Sequence, residues 1–585
     1  MWNGTPEKTP ERRLAIILVA AIAFTAKLLL ALKTYGTNDV YTYERFALWS
    51  RYFGADLYKI APDLNHPPSM LHILSALLWM SEHTQLPFHF WIRFPGILAD
   101  VGSLWLVCRI LGPRIAERSV WIAVLLIAIA PTNILISGFH GNTDPIMIFF
   151  VMAAVWLAGY RDKPAAGGAA YGIALCIKVA PVILVPVLFL SLEGIRKRTA
   201  FFLATAAVTA IAWSPYLYQQ PAAVIHQVFG YKSSYGLWGF SWLFREFANA
   251  WPASQWINNG FSRFGSVFVV TAIVALSVWM NRLTRKPSLY AQVGMVFLLF
   301  FTATSGFAVQ YLAWLTPWIA ELGALPVALF IVTGSVFLLV VYNYWNLGMP
   351  WHLAIAYPWS SHQYFQVLCW ISVLLLTFAA WRQVRRGEAF SFPALRIPLP
   401  VRVAAAVVAL SAFLLYPAIV HMRRDWLGRQ PAYDVDEVLF TQADEYHNLA
   451  SELLKHGRAS EAYAVEDRAN RMDTDAQRVS DALSRLQPAR LVVRTPEGYV
   501  DMSEMDYNQG EYAQCVSDAT ESLKLRPSMP AAWYNISLCN SQLGNWDAAV
   551  AAATEGLRIE PESDVVRENL AWTLRQQRQA AAVRR

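Results

Sequence analysis

The chain has 585 residues, of which 56% are hydrophobic and 15% are charged, whereas about 25% of the residues of an average soluble domain are charged. Residues 1–432 contain 32 Lys and Arg against 16 Asp and Glu, and residues 433–585 contain 16 against 25, so the two net charges are +16 and −9. These values exclude one uniform soluble domain and predict a membrane domain over 1–432 followed by an acidic soluble domain over 433–585. They also argue against nucleic acid as a partner, because the basic residues lie between apolar runs, where they attract anionic lipid.

The first apolar run, Leu14 to Leu32, is long enough to cross a membrane core of roughly 30 Å. Basic residues precede it, as they precede a signal sequence, but no small-residue cleavage site follows it. Further apolar runs come directly afterwards. We therefore expect an uncleaved first span.

Twelve further apolar runs predict an all-α polytopic bundle of thirteen spans. Two pairs of these runs are short and are divided at their polar breaks. The runs after the first lie near 93–110, 119–137, 145–160, 168–178, 181–191, 200–214, 264–280, 289–304, 308–320, 325–342, 364–381 and 403–420.

The distribution of Lys and Arg predicts the orientation of this bundle. The connectors on the side of the N-terminus contain 19 of these residues, and the longer connectors on the other side contain nine before the last span. The positive-inside rule makes the N-terminus cytoplasmic, and thirteen spans then put the tail outside a plasma or inner membrane. Residues 68–82 are interpreted as a helix within the first outer loop, and a crossing there would invert the later topology.

Most polar connectors then lie on the outer side. They are the first loop (33–92), the turn 138–144, the loop 214–263 and an aromatic-rich segment at 343–363. The inner connectors contain mainly basic residues. This asymmetry predicts an active site on the outer membrane face, beneath the large first loop.

The tail has an internal period of 34 residues. Pro530 to Ser563 carries Trp533, Ile536, Gly544, Trp546, Ala549, Gly556 and Pro561, and Pro496 to Met529 carries Tyr499, Gly510, Tyr512, Cys515, Ser522 and Pro527 at matching offsets. This spacing resembles the tetratricopeptide pattern. We expect an α-solenoid with repeats near 443–476, 496–529 and 530–563 and a capping helix from 564. Such arrays bind a protein or peptide partner; the alternative is a purely structural spacer.

The first outer loop contains the sequences Asn38-Asp39-Val40-Tyr41-Thr42-Tyr43-Glu44-Arg45, Gly54-Ala55-Asp56-Leu57-Tyr58 and His66-Pro67-Pro68-Ser69. In this order the motifs resemble the GT-C superfamily of membrane glycosyltransferases. Similar members include bacterial polyprenyl-phosphate-mannose-dependent enzymes and the mannosyltransferases of glycosylphosphatidylinositol and asparagine-linked precursor assembly. Arg93, Asp144, Lys178-Val179-Ala180-Pro181 and Gln310-Tyr311 extend the resemblance over roughly residues 10–320.

The resemblance implies an enzyme that transfers a sugar, such as the hexose mannose, from a polyprenyl-phosphate donor to a lipid, glycan or protein acceptor, with inversion. Relatives that transfer single sugars work without a metal, and the sequence has no dense carboxylate cluster, so no metal or other cofactor is expected. The alternative function is a lipid-linked glycan flippase or a polymer-assembly scaffold, in which the same polar face forms a conduit.

The resemblance makes Asp39 the catalytic base. Its position just past a membrane helix leads us to expect burial and a raised pKa. The alternative role of Asp39 is the N-cap of a helix over 40–52. Glu44 lies about one and a half turns further on, where it either orients the acceptor or pairs with Arg45 or Arg51.

Arg93, Lys178 and His66 are the candidates for binding the donor phosphate, because a leaving phosphate needs fixed cationic or hydrogen-bonding groups. Lys178 lies inside an apolar run, where an ammonium is costly without a partner or a water-filled cavity. Arg93 could instead be an interfacial anchor. His66 could instead make a structural hydrogen bond at the start of the Pro-Pro helix.

Four further residues complete the candidate substrate site. Asp144 is a possible second carboxylate, although Asp144-Pro145 is also typical of a helix start. His140 lies in the preceding turn. Gln310 and Tyr311 are next to a stripe of tryptophans that either stacks on a sugar or forms an interfacial aromatic belt.

The five cysteines show no metal-ligand spacing. Cys515 and Cys539 fall on facing helices of neighbouring repeats, so they are expected to be close. We interpret them as two separate buried thiols, with a disulfide as the alternative in an oxidising compartment.

Overall fold

The computed structural model describes residues 9–231, 233–346, 351, 353–354, 365–386, 433–486, 496–508, 510–561 and 563–583. Contacts divide the chain into two compact units. The first comprises the described residues of Met1–Leu415 and Asp434–Val479, and the second comprises those of Tyr416–Tyr433 and Ser480–Arg585. The helices of the first predicted repeat therefore belong largely to the unit that contains the membrane helices.

The first unit is almost entirely helical. Its first half contains α1 (Thr9–Lys33), β1 (Gly36–Thr37), α2 (Asn38–Phe53), α3 (Leu57–Ile60), α4 (Ser69–His83), α5 (Phe88–Leu111), α6 (Arg118–Ala128), α7 (Pro131–Leu135), α8 (Asp144–Tyr160), α9 (Pro164–Ile177) and α10 (Val185–Ser191). Its second half contains α11 (Ile195–Gln219), α12 (Pro221–Gly230), α13 (Gly239–Ala250), α14 (Gln255–Asn281), α15 (Leu289–Ala303), α16 (Leu312–Leu315), α17 (Ala324–Trp345), β2 (Leu353–Ala354), α18 (Phe365–Arg386), α19 (Tyr433–Lys455) and α20 (Ala459–Leu486).

Among the described residues, seven helical stretches are long and apolar enough to cross a membrane. They are Pro10–Lys33, Phe88–Leu111, Arg118–His140, Ile195–Gln219, Pro252–Asn281, Ala324–Trp345 and Phe365–Arg385. Four shorter apolar helices are Asp144–Tyr160, Pro164–Ile177, Ala180–Ser191 and Leu289–Ala303. The prediction of an all-α, multi-pass membrane protein is confirmed at this level.

Two of the thirteen predicted spans have no matching helix among these eleven. Residues 308–320 form a succession of short turns, including α16, instead of one continuous helix. The predicted span 403–420 lies outside the described residues. Helix α4, predicted as part of the outer loop, is present; it packs on α2 and α5 and is not among the eleven apolar helices.

The buried Arg93 guanidinium fixes the end of the bundle where the first loop begins. Only 1% of Arg93 is exposed, and it donates hydrogen bonds to the carbonyl oxygens of Leu30, Thr34, Tyr35, Gly138 and His89 and to the Thr34 hydroxyl. These bonds join the C-terminal end of α1 to the turn after α7. Unpaired carbonyls at a helix end are thereby satisfied.

Strand β1 pairs in parallel with β2, with Gly36 opposite Leu353. The turn after α7 ends at Gly141, which has φ +82°, and a Cβ there would collide with the Val40 side chain. Glycine is therefore required where this turn crosses α2. The strand pairing and this close approach bring residues 138–144 against the start of α2.

The first tail helices contact the first loop inside the first unit. Tyr41 of α2 donates to the carboxylate of Glu445 on α19, and Arg45 lies 3.9 Å from the same carboxylate. Arg458 donates to the carbonyl oxygen of Tyr52. These contacts hold α19 and the start of α20 on the helix that carries Asp39.

The second unit consists of helices that pack on their sequence neighbours. They are α21 (Pro496–Asn508), α22 (Tyr512–Leu525), α23 (Pro530–Gln542), α24 (Trp546–Ile559) and α25 (Asp564–Val583). Gly510 and Gly544, with φ +79° and +75°, form the turns between paired helices, which is the role that the repeat pattern predicts for them.

Cys515 and Cys539 form a disulfide in the second unit, with their Cα atoms 6.3 Å apart. The expectation that they lie close together is confirmed. The interpretation as two separate thiols is wrong, because packing α22 against α23 brings the two side chains within bonding distance.

Candidate active site

A cavity of about 470 Å³ opens at the end of the bundle that carries the first loop. Its polar lining includes five predicted site residues and one that was not predicted: Asp39, His66, Lys178, Gln310, Tyr311 and Asn142. Its apolar lining includes Val182, Ile183, Val228 and Phe229. The cavity therefore has a charged part and an apolar part.

The carboxylate of Asp39 accepts hydrogen bonds from side chains and does not cap α2. The N-cap is Thr37, whose hydroxyl accepts from the Asp39 backbone N–H at 3.3 Å and donates to the His140 carbonyl at 2.8 Å. Asp39 Oδ2 accepts from Asn142 Nδ2 at 2.6 Å and lies 3.1 Å from His140 Nε2. The alternative role of Asp39, as the N-cap of α2, therefore belongs to Thr37.

The pKa of Asp39 is lowered to about 2, and the expected rise is wrong. Burial alone would raise this pKa, and it is the largest single influence. The hydrogen bonds from His140 and Asn142, together with the charges of His140 and Lys178, outweigh it and stabilise the ionised form. Asp39 is therefore a carboxylate at neutral pH.

Lys178, which lines the cavity, forms an ion pair with Asp144, which does not. Lys178 Nζ lies 2.8 Å from both carboxylate oxygens of Asp144 and donates to Asn142 Oδ1 at 3.2 Å. Asp144 is fully buried and also accepts from the indole N–H of Trp314. Helix α8 begins at Asp144, and its N-cap is Thr143, which makes no side-chain capping hydrogen bond. The buried charges of Lys178 and Asp144 compensate one another.

His66 is held neutral at the opposite wall. The Tyr43 hydroxyl lies 2.9 Å from His66 Nε2. Burial, and then the charge of Lys178, lower the pKa of His66 to about 3. Its Nδ1 atom is buried and has no hydrogen-bond partner among the described residues. A neutral His66 can hydrogen-bond a substrate but cannot supply a charge to a phosphate.

An aromatic wall completes the cavity. The rings of Tyr311 and Trp314 are stacked with centroids 4.2 Å apart, and Lys178 Nζ lies 5.7 Å from the Tyr311 centroid. Trp314 and Trp318 are 2% and 3% exposed, so they do not form a lipid-facing belt. Tyr311 and Trp314 line the cavity.

Four predicted residues do not line the cavity. His140 and Asp144 contact the lining residues Asp39 and Lys178, whereas Arg93 and Glu44 make their bonds elsewhere. The guanidinium of Arg93 is bound to the carbonyl oxygens at the end of α1. Glu44 accepts from the Tyr35 hydroxyl at 3.1 Å, while its expected partners Arg45 and Arg51 pair with Asp63 and Glu82. Neither Arg93 nor Glu44 lines the cavity.

Sequence reasoning missed Asn142 and Tyr43. Asn142 links three predicted residues, since it binds Asp39 and Lys178 and precedes Asp144 by two positions. Its signal was present: an amide in a polar turn between two long apolar runs needs a hydrogen-bonding partner. Tyr43 had no such signal, because tyrosine is common in amphipathic helices.

No protein-family model and no curated protein matches this chain. Within the described part of the chain, no group of three or more His, Cys, Asp or Glu side chains is arranged to hold a metal ion.

Proposed function

We propose that the protein is a GT-C-type membrane glycosyltransferase that moves a hexose such as mannose from a polyprenyl phosphate to a hydroxyl group. The acceptor is a lipid, a glycan or a protein, and the configuration at the sugar carbon is inverted. The observation that carries this proposal is one cavity lined by a carboxylate, an ammonium and a set of apolar side chains.

The shape and chemistry of the cavity suit an amphiphilic donor. Val182 and Phe229, on its apolar wall, are 50% and 60% exposed, so this wall is open towards the lipid in which a polyprenyl chain is dissolved. Lys178, with 15% of its side chain exposed, is the cation for the phosphate. His66 and Asn142 add neutral hydrogen-bonding groups.

The transfer is a single displacement. The acceptor oxygen forms a bond to C1 of the sugar, and the bond between C1 and the phosphate oxygen breaks. Asp39 takes the acceptor proton, and polyprenyl phosphate leaves with the electron pair beside Lys178. Nothing else is consumed, so the reaction needs no cofactor.

The low pKa of Asp39 has a consequence for this step. A carboxylate with a pKa of about 2 removes a proton from an alcohol only when the oxygen has begun to bond to C1 and has become acidic. An anionic phosphate bound at Lys178 also offsets the ammonium charge that lowers the Asp39 pKa. Donor binding therefore makes Asp39 a stronger base.

We further propose thirteen spans, with the cavity and the tail on the extracytoplasmic side. Eleven apolar helices are described, and residues 308–320 and 403–420 would complete the count. The contact between Tyr41 and Glu445 puts the start of the tail at the cavity end of the bundle. The disulfide between Cys515 and Cys539 suits an oxidising compartment.

The tail is proposed to be a tetratricopeptide array that recruits the acceptor or a protein partner. The 34-residue period and the turn glycines Gly457, Gly510 and Gly544, all with positive φ, support this assignment. Protease added to intact spheroplasts should remove residues 433–585, and protection of the tail would contradict the orientation.

Asp39→Asn in the purified full-length protein tests the reaction. Transfer of radiolabelled sugar from a panel of polyprenyl-phosphate sugars should fall about 10²–10⁴-fold, the usual contribution of a general base. Donor binding should remain, because Asn keeps the size of Asp39. The matched control is Asp56→Asn, which changes an exposed carboxylate of the same loop outside the cavity.

Two results would count against this function. Near-full transfer by Asp39→Asn would remove Asp39 from the chemistry. No transfer from any donor, combined with lipid-linked glycan movement across reconstituted vesicles, would favour the flippase alternative.

A further inference from the structure

A second cavity, of about 390 Å³, lies at the opposite end of the bundle from Asp39. Helix α5 begins beside the Asp39 cavity and its 24 residues span roughly 36 Å. Arg114, three residues after its last residue, lines the second cavity. The two cavities therefore lie near opposite membrane faces.

The second cavity has an excess of positive charge. Its charged lining residues are Arg114, Arg285, Lys286 and Glu321. Arg114 is paired with Glu321. Arg285 and Lys286 are exposed and make no ion pair within the part of the chain that the structure describes. The cavity thus presents two cations whose charge is not balanced by a described neighbour.

A buried donor in the same cavity also lacks a partner. Trp318 is 3% exposed and lines the cavity, and its indole N–H has no acceptor among the described residues. An indole nitrogen can only donate, so a residue of the cavity lining contains a donor without a described acceptor. Helix α15, whose N-cap is Ser288, begins at this cavity, and its N-terminal dipole also favours an anion.

An apolar groove of about 360 Å³ adjoins this cavity. Met295 lines both. On α15, Leu298 lines the basic cavity and the next residue, Leu299, lines the groove. On α18, Ala380 lines the basic cavity and Trp381 lines the groove. Helices α15 and α18 thus form one wall that is polar at its end and apolar further into the bundle. A free phosphate ion would use only the polar part.

We propose that this pair of cavities binds an anionic lipid, with its phosphate group beside Arg285, Lys286 and Trp318 and an acyl or prenyl chain in the groove next to Met295. The site is separate from the Asp39 cavity and takes no part in the transfer chemistry. The complementary charge selects an anionic headgroup, and the adjoining groove selects a lipid over soluble phosphate.

The proposal is tested by native mass spectrometry of the full-length protein titrated with phosphatidylglycerol or with phosphatidylcholine. The wild type should retain phosphatidylglycerol preferentially. Arg285→Gln with Lys286→Gln should weaken this binding about tenfold or more, given the usual contribution of each cation near a membrane surface.

The matched control is Lys163→Gln with Arg196→Gln, which removes the same charge from exposed residues at the same end of the bundle but outside the cavity. The control should bind phosphatidylglycerol like the wild type.

Three outcomes would overturn the proposal. Equally weakened phosphatidylglycerol binding in the control variant would show that any exposed cation attracts the lipid unspecifically. Unchanged binding in the Arg285 and Lys286 variant would remove these residues from the site. Displacement of the lipid by an equal concentration of inorganic phosphate would show a phosphate site that does not use the groove. Each protein is first checked for a single peak in size-exclusion chromatography, so that loss of folding is not counted as loss of binding.

Discussion

Asn142 donates its amide to the carboxylate of Asp39 at a distance of 2.6 Å. The other end of the same amide accepts from Lys178. One neutral side chain therefore holds the base and the cation of the proposed transfer in fixed positions. It also favours the ionised form of Asp39, so the bond has consequences that can be measured.

Replacing Asn142 should change the pH dependence of transfer. The pKa of Asp39 is lowered to about 2, so kcat/KM of the wild type should show no loss from protonation of Asp39 between pH 4 and 7. Asn142→Asp puts a second carboxylate beside Asp39, and repulsion between the two raises the pKa of the pair. Its acid limb should therefore move to higher pH. Asn142→Leu, which only loses the hydrogen bond, should show a smaller move, and an unchanged profile in both variants would contradict the role of Asn142.

Lys178 should be needed for stability as well as for donor binding. Lys178→Gln leaves the fully buried Asp144 without its cation, and breaking a buried pair typically costs about 3–5 kcal/mol. Lys178→Gln combined with Asp144→Asn should recover most of the thermal stability but not the donor affinity. Thermal unfolding in detergent and donor titration measure the two effects. A double variant as unstable as the single one would mean that the pair itself does not determine stability.

The contact between α2 and α19 should be energetically coupled. Burial raises the pKa of Glu445, and its carboxylate accepts from the Tyr41 hydroxyl. In a double-mutant cycle, Tyr41→Phe and Glu445→Gln should each destabilise the protein by about 1 kcal/mol or more. Because the two residues share one bond, their effects should not add. Additive effects would show that α19 does not depend on this contact.

The bond between Cys515 and Cys539 predicts a mass and a stability difference. Peptides prepared without reductant should contain the two cysteines in one linked species. Cys515→Ser with Cys539→Ser should destabilise the tail by about 3 kcal/mol, because the bond closes a loop with a separation of 24 residues. The control is Cys176→Ser, which removes a cysteine that is not in the disulfide and so tests the effect of a cysteine replacement alone. Two free thiols in protein isolated from its native membrane would contradict both the bond and an oxidising location of the tail.

Local sequence signals predicted the helices better than the contacts between them. Eleven of the apolar runs correspond to described helices, seven of which have the length that a membrane core requires, while four are shorter. The short runs near 168–191 and 289–320 were harder to interpret. Their polar breaks, at Lys178 and before Gln310, are bends lining the cavity, and a hydropathy pattern does not distinguish such a bend from a loop outside the membrane.

The sequence by itself indicated that the charge of Lys178 needed a partner, whereas Asp39 and Asp144 were named through the family resemblance. A charge next to an apolar run is costly wherever the chain folds, so its presence is visible without a structure. The role of Arg93 was not visible, because an arginine at the start of a span looks the same whether it binds a phosphate or a set of carbonyl groups.

Only the tertiary structure decided the direction of the Asp39 pKa shift, the position of Asn142 and the pairing of Cys515 with Cys539. Each of these depends on atoms a few ångströms apart that belong to different segments of the chain, and Asn142 is 103 positions from Asp39. Electrostatic and hydrogen-bond energies depend on distance and direction in space. Periodicity and composition report only which segments and which helix faces are buried. They were therefore enough to predict the apolar helices and to show the 34-residue period of the tail, but not to predict the contacts in the cavity.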